Sequence, residues 1–213
     1  MARSTIVVES LAADLRDALS QLALDQQYWV GIAGPPGAGK STISDGLQNC
    51  FGDICIVIPM DGYHLYRAEL DAMPDPEEAI RRRGSPFTFN AEKFVGDLTA
   101  ARESMGGSFP SFQHGIGDPV ENEVQLKPAH RLVLVEGNYL LLDESPWSKL
   151  PDLFNESWFI DASLESIRDR LKDRFMANGL TKVAALARVE SNDLLNAKLV
   201  RSGRERASRV IQN

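Results

Sequence analysis

The segment that most constrains this chain is Gly34-Pro35-Pro36-Gly37-Ala38-Gly39-Lys40-Ser41. It satisfies G-x-x-x-x-G-K-[ST] at every specified position, a match that average composition gives by chance on the order of once in a hundred chains of this size. Tyr28-Trp29-Val30-Gly31-Ile32-Ala33 leads into it as a short apolar run suited to a fully buried parallel strand, and a helix is predicted from about Lys40 to Cys50. Strand, glycine-rich turn and helix together make a phosphate cradle. The glycines let the backbone curl so that successive N–H groups point inward, and the helix start adds the positive end of its dipole. In such a loop the Lys40 ammonium reaches the terminal phosphates and the Ser41 hydroxyl ligates Mg²⁺. Gly34, Pro35, Pro36, Gly37, Ala38, Gly39, Lys40, Ser41 and Thr42 are therefore the predicted triphosphate site.

The composition makes that cradle necessary. Across 213 residues, 23 Lys and Arg stand against 30 Asp and Glu, a formal net charge of −7. Such a balance gives no footprint for a nucleic-acid backbone, so an anionic partner has to be held locally, and no nucleic-acid partner is expected. Hydrophobic residues at 43% and charged residues at 25% exclude a disordered or fibrous chain. No apolar run approaches the length of a membrane span, and Glu9, Asp14 and Asp17 are out of place in a targeting leader. The expectation is a cytoplasmic protein with no membrane partner. Cys50 and Cys55 read as small buried residues rather than a disulfide framework.

Ile54–Ile58, Leu132–Val135, Trp158–Ile160 and Arg209–Ile211 read as further buried strands. Helical patterns separate them at about Glu92–Glu103, Leu164–Met176 and Lys182–Val200. Val8, Leu11, Ala12, Leu15, Leu19 and Leu22 form one stripe of a leading helix within residues 1–25. Alternating buried strands and helices indicate a single α/β domain, 1–213, with a parallel sheet. Residues 62–130 exceed what one helical crossover needs. They are rich in Gly, Pro, aromatics and charge, including Arg81-Arg82-Arg83, and read as an insert that binds a second substrate or forms a lid.

Two strand ends carry carboxylates. Asp61 follows the second strand in Met60-Asp61-Gly62-Tyr63-His64. Asp-Gly after a strand is often only a turn, but strand C-termini in an open parallel sheet converge on the ligand crevice. A carboxylate there can take the proton of an attacking hydroxyl. Glu136, in Val135-Glu136-Gly137, occupies the position of a Mg²⁺-binding carboxylate, with Gly137 allowing close approach. No N-K-x-D guanine motif, D-x-x-G switch or L-S-G-G-Q segment is present.

These pieces resemble the P-loop small-molecule kinases that include uridine kinase, phosphoribulokinase and bacterial pantothenate kinase. The matching segments are Gly34–Ser41, Asp61–His64, Gly84–Asn90, Phe112-Gln113-His114 with Asp118-Pro119, and Val135–Tyr139. The Pro-Met-Asp-Gly-Tyr-His wording is most similar to a bacterial subgroup labelled fructose-transport-system kinases. The resemblance implies a three-layer P-loop fold with a five-stranded parallel sheet in the order 2-3-1-4-5, ATP as the nucleotide, and Asp61 as catalytic base. Relatives often carry Asp where Asn90 and Gln113 stand. The resemblance also implies a lid over residues 164–180, with Arg170 and Arg174 closing over the phosphates; the alternative is a solvated ion-pair face shared with Asp169 and Asp173. Tyr63, His64, Arg83, Phe87, Phe89, His114, Glu136 and Tyr139 are candidates for the acceptor side, and Asn196 and Arg206 for the nucleotide border.

The expected activity is transfer of the γ-phosphate of ATP, with Mg²⁺, to a hydroxyl of a sugar, nucleoside or pantothenate-like metabolite. The competing reading is a nucleotide-dependent regulatory module with slow ATPase activity and no such acceptor. Homodimerisation is left open.

Overall fold

The computed structural model describes residues 2–113 and 116–213, with side chains from Ile6 onward. Its elements, in chain order, are α1 (Ala2–Ser20), β1 (Tyr28–Ala33), α2 (Lys40–Phe51), β2 (Cys55–Pro59), α3 (Arg67–Asp71), α4 (Pro76–Arg81), α5 (Ala91–Ser104), β3 (Gly107–Gln113), β4 (Asp118–Leu126), β5 (Leu132–Gly137), β6 (Glu156–Asp161), α6 (Leu164–Ala177), α7 (Lys182–Arg188), α8 (Leu194–Ser202) and β7 (Arg209–Gln212). Every apolar run read as a strand is one. β2, β5, β1, β6 and β7 form one sheet in that order, all parallel. Numbered among themselves these strands run 2-3-1-4-5, as the resemblance implies. β1 and β5 are almost wholly buried because both sheet faces are covered.

Each face has its own apolar core. On one side Val30, Ile32, Leu132 and Leu134 pack with Ile43 and Leu47 of α2, Ile167 and Leu171 of α6, and Leu11 and Leu15 of α1. On the other, Trp29, Val133 and Val135 meet Phe94 and Leu98 of α5, Trp147 and Phe109. The α1 stripe lies against α2, and Arg131 Nη2 donates to the carbonyls of Leu19 in the last turn of α1 and of Leu22 and Ala23 just beyond it, at 3.1–3.3 Å.

Three features depart from the sequence reading. Inside the insert, β3 and β4 pair antiparallel. Their pattern is hidden because Pro110 interrupts β3 where the register shifts, and Asn122 takes φ +62° in β4. The helix expected from Lys182 to Val200 is broken by a π-helical turn at Val189–Asp193. This widening turns Asn192 toward the insert, where its Oδ1 accepts from Arg82 Nε at 2.9 Å and its Nδ2 donates to Arg83 O at 3.0 Å. Finally, Cys55 is buried but Cys50 is exposed, because it lies on the outer face of α2. Among the described residues, no helix is long and apolar enough to cross a membrane.

Candidate active site

The phosphate loop joins the C-terminal end of β1 to α2. Gly34 has φ +156°, and a Cβ there would stand 2.7 Å from Ile160 O, so the loop's entry is open only to glycine. Lys40 begins α2 and sends its ammonium back over the loop. Nζ donates to Gly34 O at 3.0 Å, Pro35 O at 3.1 Å and Asn138 Oδ1 at 2.8 Å. Desolvation pulls its pKa below the usual lysine value, while the charges of Glu136 and Asp61 push it back up.

Sheet register brings the two carboxylates to the same place. β5 lies between β1 and β2, and Glu136 pairs with Ile32 on one side and Pro59 on the other. Glu136 Oε1 accepts from Ser41 Oγ at 3.2 Å and Oε2 from Ser44 Oγ at 3.3 Å. Burial raises the Glu136 pKa, and Lys40 opposes that rise. Gly137 follows, and a Cβ there would lie 2.6 Å from Met60 Cβ, so glycine lets the turn after β2 close against β5. That turn, Met60–Tyr63, is a short 3₁₀ helix that exposes Asp61. The Asp61 carbonyl accepts from His64 N at 3.2 Å, while among the described residues its carboxylate makes no hydrogen bond. Its charge is nonetheless felt by Lys40, Glu136 and Tyr139.

α6 runs beside the loop. Arg170 Nη1 donates to Gly37 O at 3.3 Å and Ala38 O at 3.4 Å. Arg174 is exposed; its charge adds to the lowering of the Lys40 pKa and partly opposes the rise that burial gives Asp193. The interleaved Asp169 and Asp173 both pair with Lys172, at 3.0 and 3.3 Å, rather than with these arginines.

The chain is 34% identical over 192 residues to a Schizosaccharomyces pombe protein provisionally named a uridine kinase, an alignment covering 86% of this chain and 82% of that one. It is 44% identical over 145 residues to ATP-dependent kinase-like protein notR' of Aspergillus versicolor, covering 65% and 84%. The crystal structure of a provisionally named fructose transport system kinase from Silicibacter sp. TM1040 superposes with TM-score 0.82 at 31% identity, covering 94% and 98%. This chain belongs to the uridine kinase-like family of P-loop kinases. YFH7 from Saccharomyces cerevisiae, a P-loop protein, shares the fold at TM-score 0.83 with 19% identity, covering 97% and 98%. No protein-family model matches the chain. The kinase is ATP-dependent.

In this kinase the insert's predicted residues divide. The His64 ring lies 4.0 Å from Phe89 and 4.8 Å from Phe112, next to Asp61. Phe89 packs edge-on to Tyr139 at 5.8 Å. Tyr139 is buried and donates to Gly84 O at 2.6 Å. Tyr63 turns instead into the core, its ring 4.7 Å from Phe94 and its hydroxyl donating to Asp97 at 2.8 Å. Arg83 braces the insert through Gly117 O, Leu65 O and Asp118, and Phe87 is exposed. Asn90 caps α5 by accepting from Lys93 N, and Gln113 donates to Glu123. Arg206 pairs with Asp143 at 3.0 Å. His114 lies outside the described residues.

Sequence reasoning gave no role to Asn138 or Ser44, which hold Lys40 and Glu136. The signal for Asn138 was its place two residues after Glu136. Nor did it reveal the buried cluster in which Asn196 Oδ1 accepts from Ser85 Oγ at 2.9 Å and from Arg82 Nη2 at 3.3 Å. The π-helical turn and the start of α8 bring those distant segments together.

Proposed function

We propose that this kinase transfers the γ-phosphate of ATP to a hydroxyl of a small metabolite, with Asp61 as general base. One observation carries this reading: just past the end of β2, Asp61 presents an exposed carboxylate that makes no hydrogen bond among the described residues, and its charge acts on Lys40 and Glu136. The phosphate loop, Gly34 to Thr42, receives the triphosphate on its backbone N–H groups. Lys40 exchanges its three neutral oxygen partners for phosphate oxygens. Asp61 accepts the acceptor's proton as its oxygen attacks phosphorus. Arg170 and Arg174, on a lid spanning 164–180, offset charge on the transferring group and exclude water. Residues 62–130 choose the acceptor, His64 lying on the Asp61 backbone and stacking on Phe89, which packs in turn on Tyr139 beyond the insert.

A hydroxyl and one carboxylate, Ser41 and Glu136, make an oxygen donor set suited to Mg²⁺, which commonly takes one or two carboxylates plus substrate phosphates. When bound, the ion neutralises charge on the phosphate oxygens.

The test is coupled ADP release with ATP and Mg²⁺ across sugars, nucleosides, pantothenate and glycerate. At least one acceptor should accelerate ADP release. Release that is slow and indifferent to every acceptor would overturn the proposal in favour of a nucleotide-dependent regulatory module.

A further inference from the structure

At the N-terminal end of the sheet, opposite the phosphate loop, a cavity of about 320 Å³ opens between the loop that follows α1, the end of α5 and the residue before β6. Leu22, Gln26, Gln27, Arg102, Met105 and Asn155 line it, and none of them has a part in the phosphotransfer described above. Its size falls at the lower end of the range of small-ligand sites. Side-chain hydrogen bonds fix its walls. Buried Gln27 donates through Nε2 to Met105 O at 3.2 Å and Lys127 O at 3.3 Å, and its Oε1 accepts from Trp29 Nε1 at 3.1 Å. Asn155 Oδ1 accepts from Trp29 N at 2.8 Å, and Arg131 Nη2 holds the carbonyls of Leu22 and Ala23.

Positive charge at this end of the sheet is not balanced. Arg102 lies over the Trp29 ring at 5.5 Å and donates to Gln27 O at 3.2 Å and Asn155 Oδ1 at 3.1 Å, both neutral oxygens. A guanidinium carries five N–H donors, so most of this fork has no partner among the described residues. Burial pulls the Arg102 pKa below the usual arginine value, and no carboxylate opposes that fall. Arg131 is likewise bound to carbonyls, and its Nε is buried without a partner. Neighbouring carboxylates do not compensate. Glu156 accepts from Tyr28 Oη at 2.7 Å and Trp158 Nε1 at 2.6 Å, and among the described residues neither Asp25 nor Glu103 forms an ion pair with either arginine. A partly buried cation without a counterion is costly, and an anion entering the cavity relieves that cost. The guanidinium fork matches a carboxylate, which takes two parallel N–H···O bonds. One lining cation balances one negative charge and leaves the second charge of a phosphate unmatched. Leu22 and Met105 supply apolar wall, and the Gln26 amide, whose Oε1 accepts from Ala23 N, keeps its N–H donors for a ligand.

We propose that this cavity is a second ligand site, taking a small organic monocarboxylate with its carboxylate on Arg102 and its apolar body against Leu22 and Met105. The site stands apart from the phosphotransfer reading. Trp29 and the phosphate loop lie toward opposite ends of β1, roughly 15 Å apart along the strand, so nucleotide and carboxylate bind without competing.

The test is titration calorimetry on the full chain, with and without a saturating non-hydrolysable ATP analogue and Mg²⁺. The probes are butyrate, valerate and benzoate, their neutral amides, and inorganic phosphate. At least one carboxylate should bind with Kd below about 1 mM, equally in both conditions. Its amide and inorganic phosphate should each bind at least about tenfold more weakly. Arg102→Gln should weaken the carboxylate by at least about tenfold. Asn155→Asp keeps the oxygen that accepts from Trp29 N and Arg102, and gives the guanidinium a carboxylate of its own. It should cost the ligand a similar factor without lowering Tm, so it decides the matter if Arg102→Gln does not fold. No carboxylate binding, displacement by the nucleotide, an amide or phosphate that binds as tightly, or unchanged affinity in either folded variant overturns the inference.

Discussion

Replacing Asp61 by Asn separates chemistry from binding in one substitution. The side chain keeps its size and loses its charge and basicity. Because the carboxylate is exposed and makes no hydrogen bond among the described residues, the folded state should change by no more than about 0.5 kcal/mol. Nucleotide binding has no reason to weaken, since a negative charge near the phosphates is being removed. Lys40 loses one of the two anions that raise its pKa but keeps Glu136 and its three oxygen partners. The loss should fall on the chemical step. General-base catalysis contributes about 10²–10⁴-fold, or about 2.7–5.4 kcal/mol of barrier. Acceptor-dependent ADP release should therefore drop by at least about 100-fold, with ATP-analogue affinity and Tm unchanged. A kcat within about threefold of the parent, at saturating acceptor, refutes Asp61 as the base.

Other perturbations probe the frame around that step. Lys40→Ala should lower kcat/KM by about 100-fold or more and weaken ATP-analogue binding, because among the described residues no other lysine Nζ bonds to the loop; unchanged turnover would sink the loop assignment. Gly34→Ala places a Cβ 2.7 Å from Ile160 O and should cost about 1–3 kcal/mol of stability along with nucleotide affinity, read by thermal melts with and without ATP analogue. Asp193→Asn should have the opposite effect on stability. Burial holds the Asp193 pKa above its unfolded value, so the charged form opposes folding at pH 7 and that cost fades as pH falls through the folded pKa. The variant should gain about 1 kcal/mol at pH 7, or about 2–4 °C in Tm, and the gain should shrink toward pH 4. A lower Tm at pH 7 would show that the carboxylate is well paired.

Much of the fold was legible because buried parallel strands leave an unambiguous trace. Tyr28–Ala33 and Leu132–Val135 are apolar without alternation since helices cover both sheet faces. The phosphate loop was legible for a different reason: its glycines, lysine and serine act through backbone geometry that local sequence dictates. The β3–β4 pair escaped because Pro110 and Asn122 break its alternation, and the π-helical turn because Lys182–Val200 keeps a helical pattern through it. Arg170 and Arg174 show the limit of spacing arguments. They share a face with no indication of their partners until Lys172 is seen to engage both Asp169 and Asp173.

By itself the sequence determined the parallel sheet, the strand–loop–helix cradle and the residues at its mouth, since each leaves a local trace: unalternating apolar runs for the buried strands, glycines and a lysine for the loop. Tertiary structure decided what meets across the crevice. β5 inserts between β1 and β2, so Glu136 reaches Ser41 while Asp61 comes beside Lys40. The π-helical turn and the start of α8 carry Asn192 and Asn196 onto Arg82, and among the described residues Asp193 Oδ2 is buried without a hydrogen-bond partner. Glu136 and Ser41, and the two asparagines and Arg82, are about a hundred positions apart. Their geometry depends on how sheet, insert and helices pack, and no local pattern of residues encodes it.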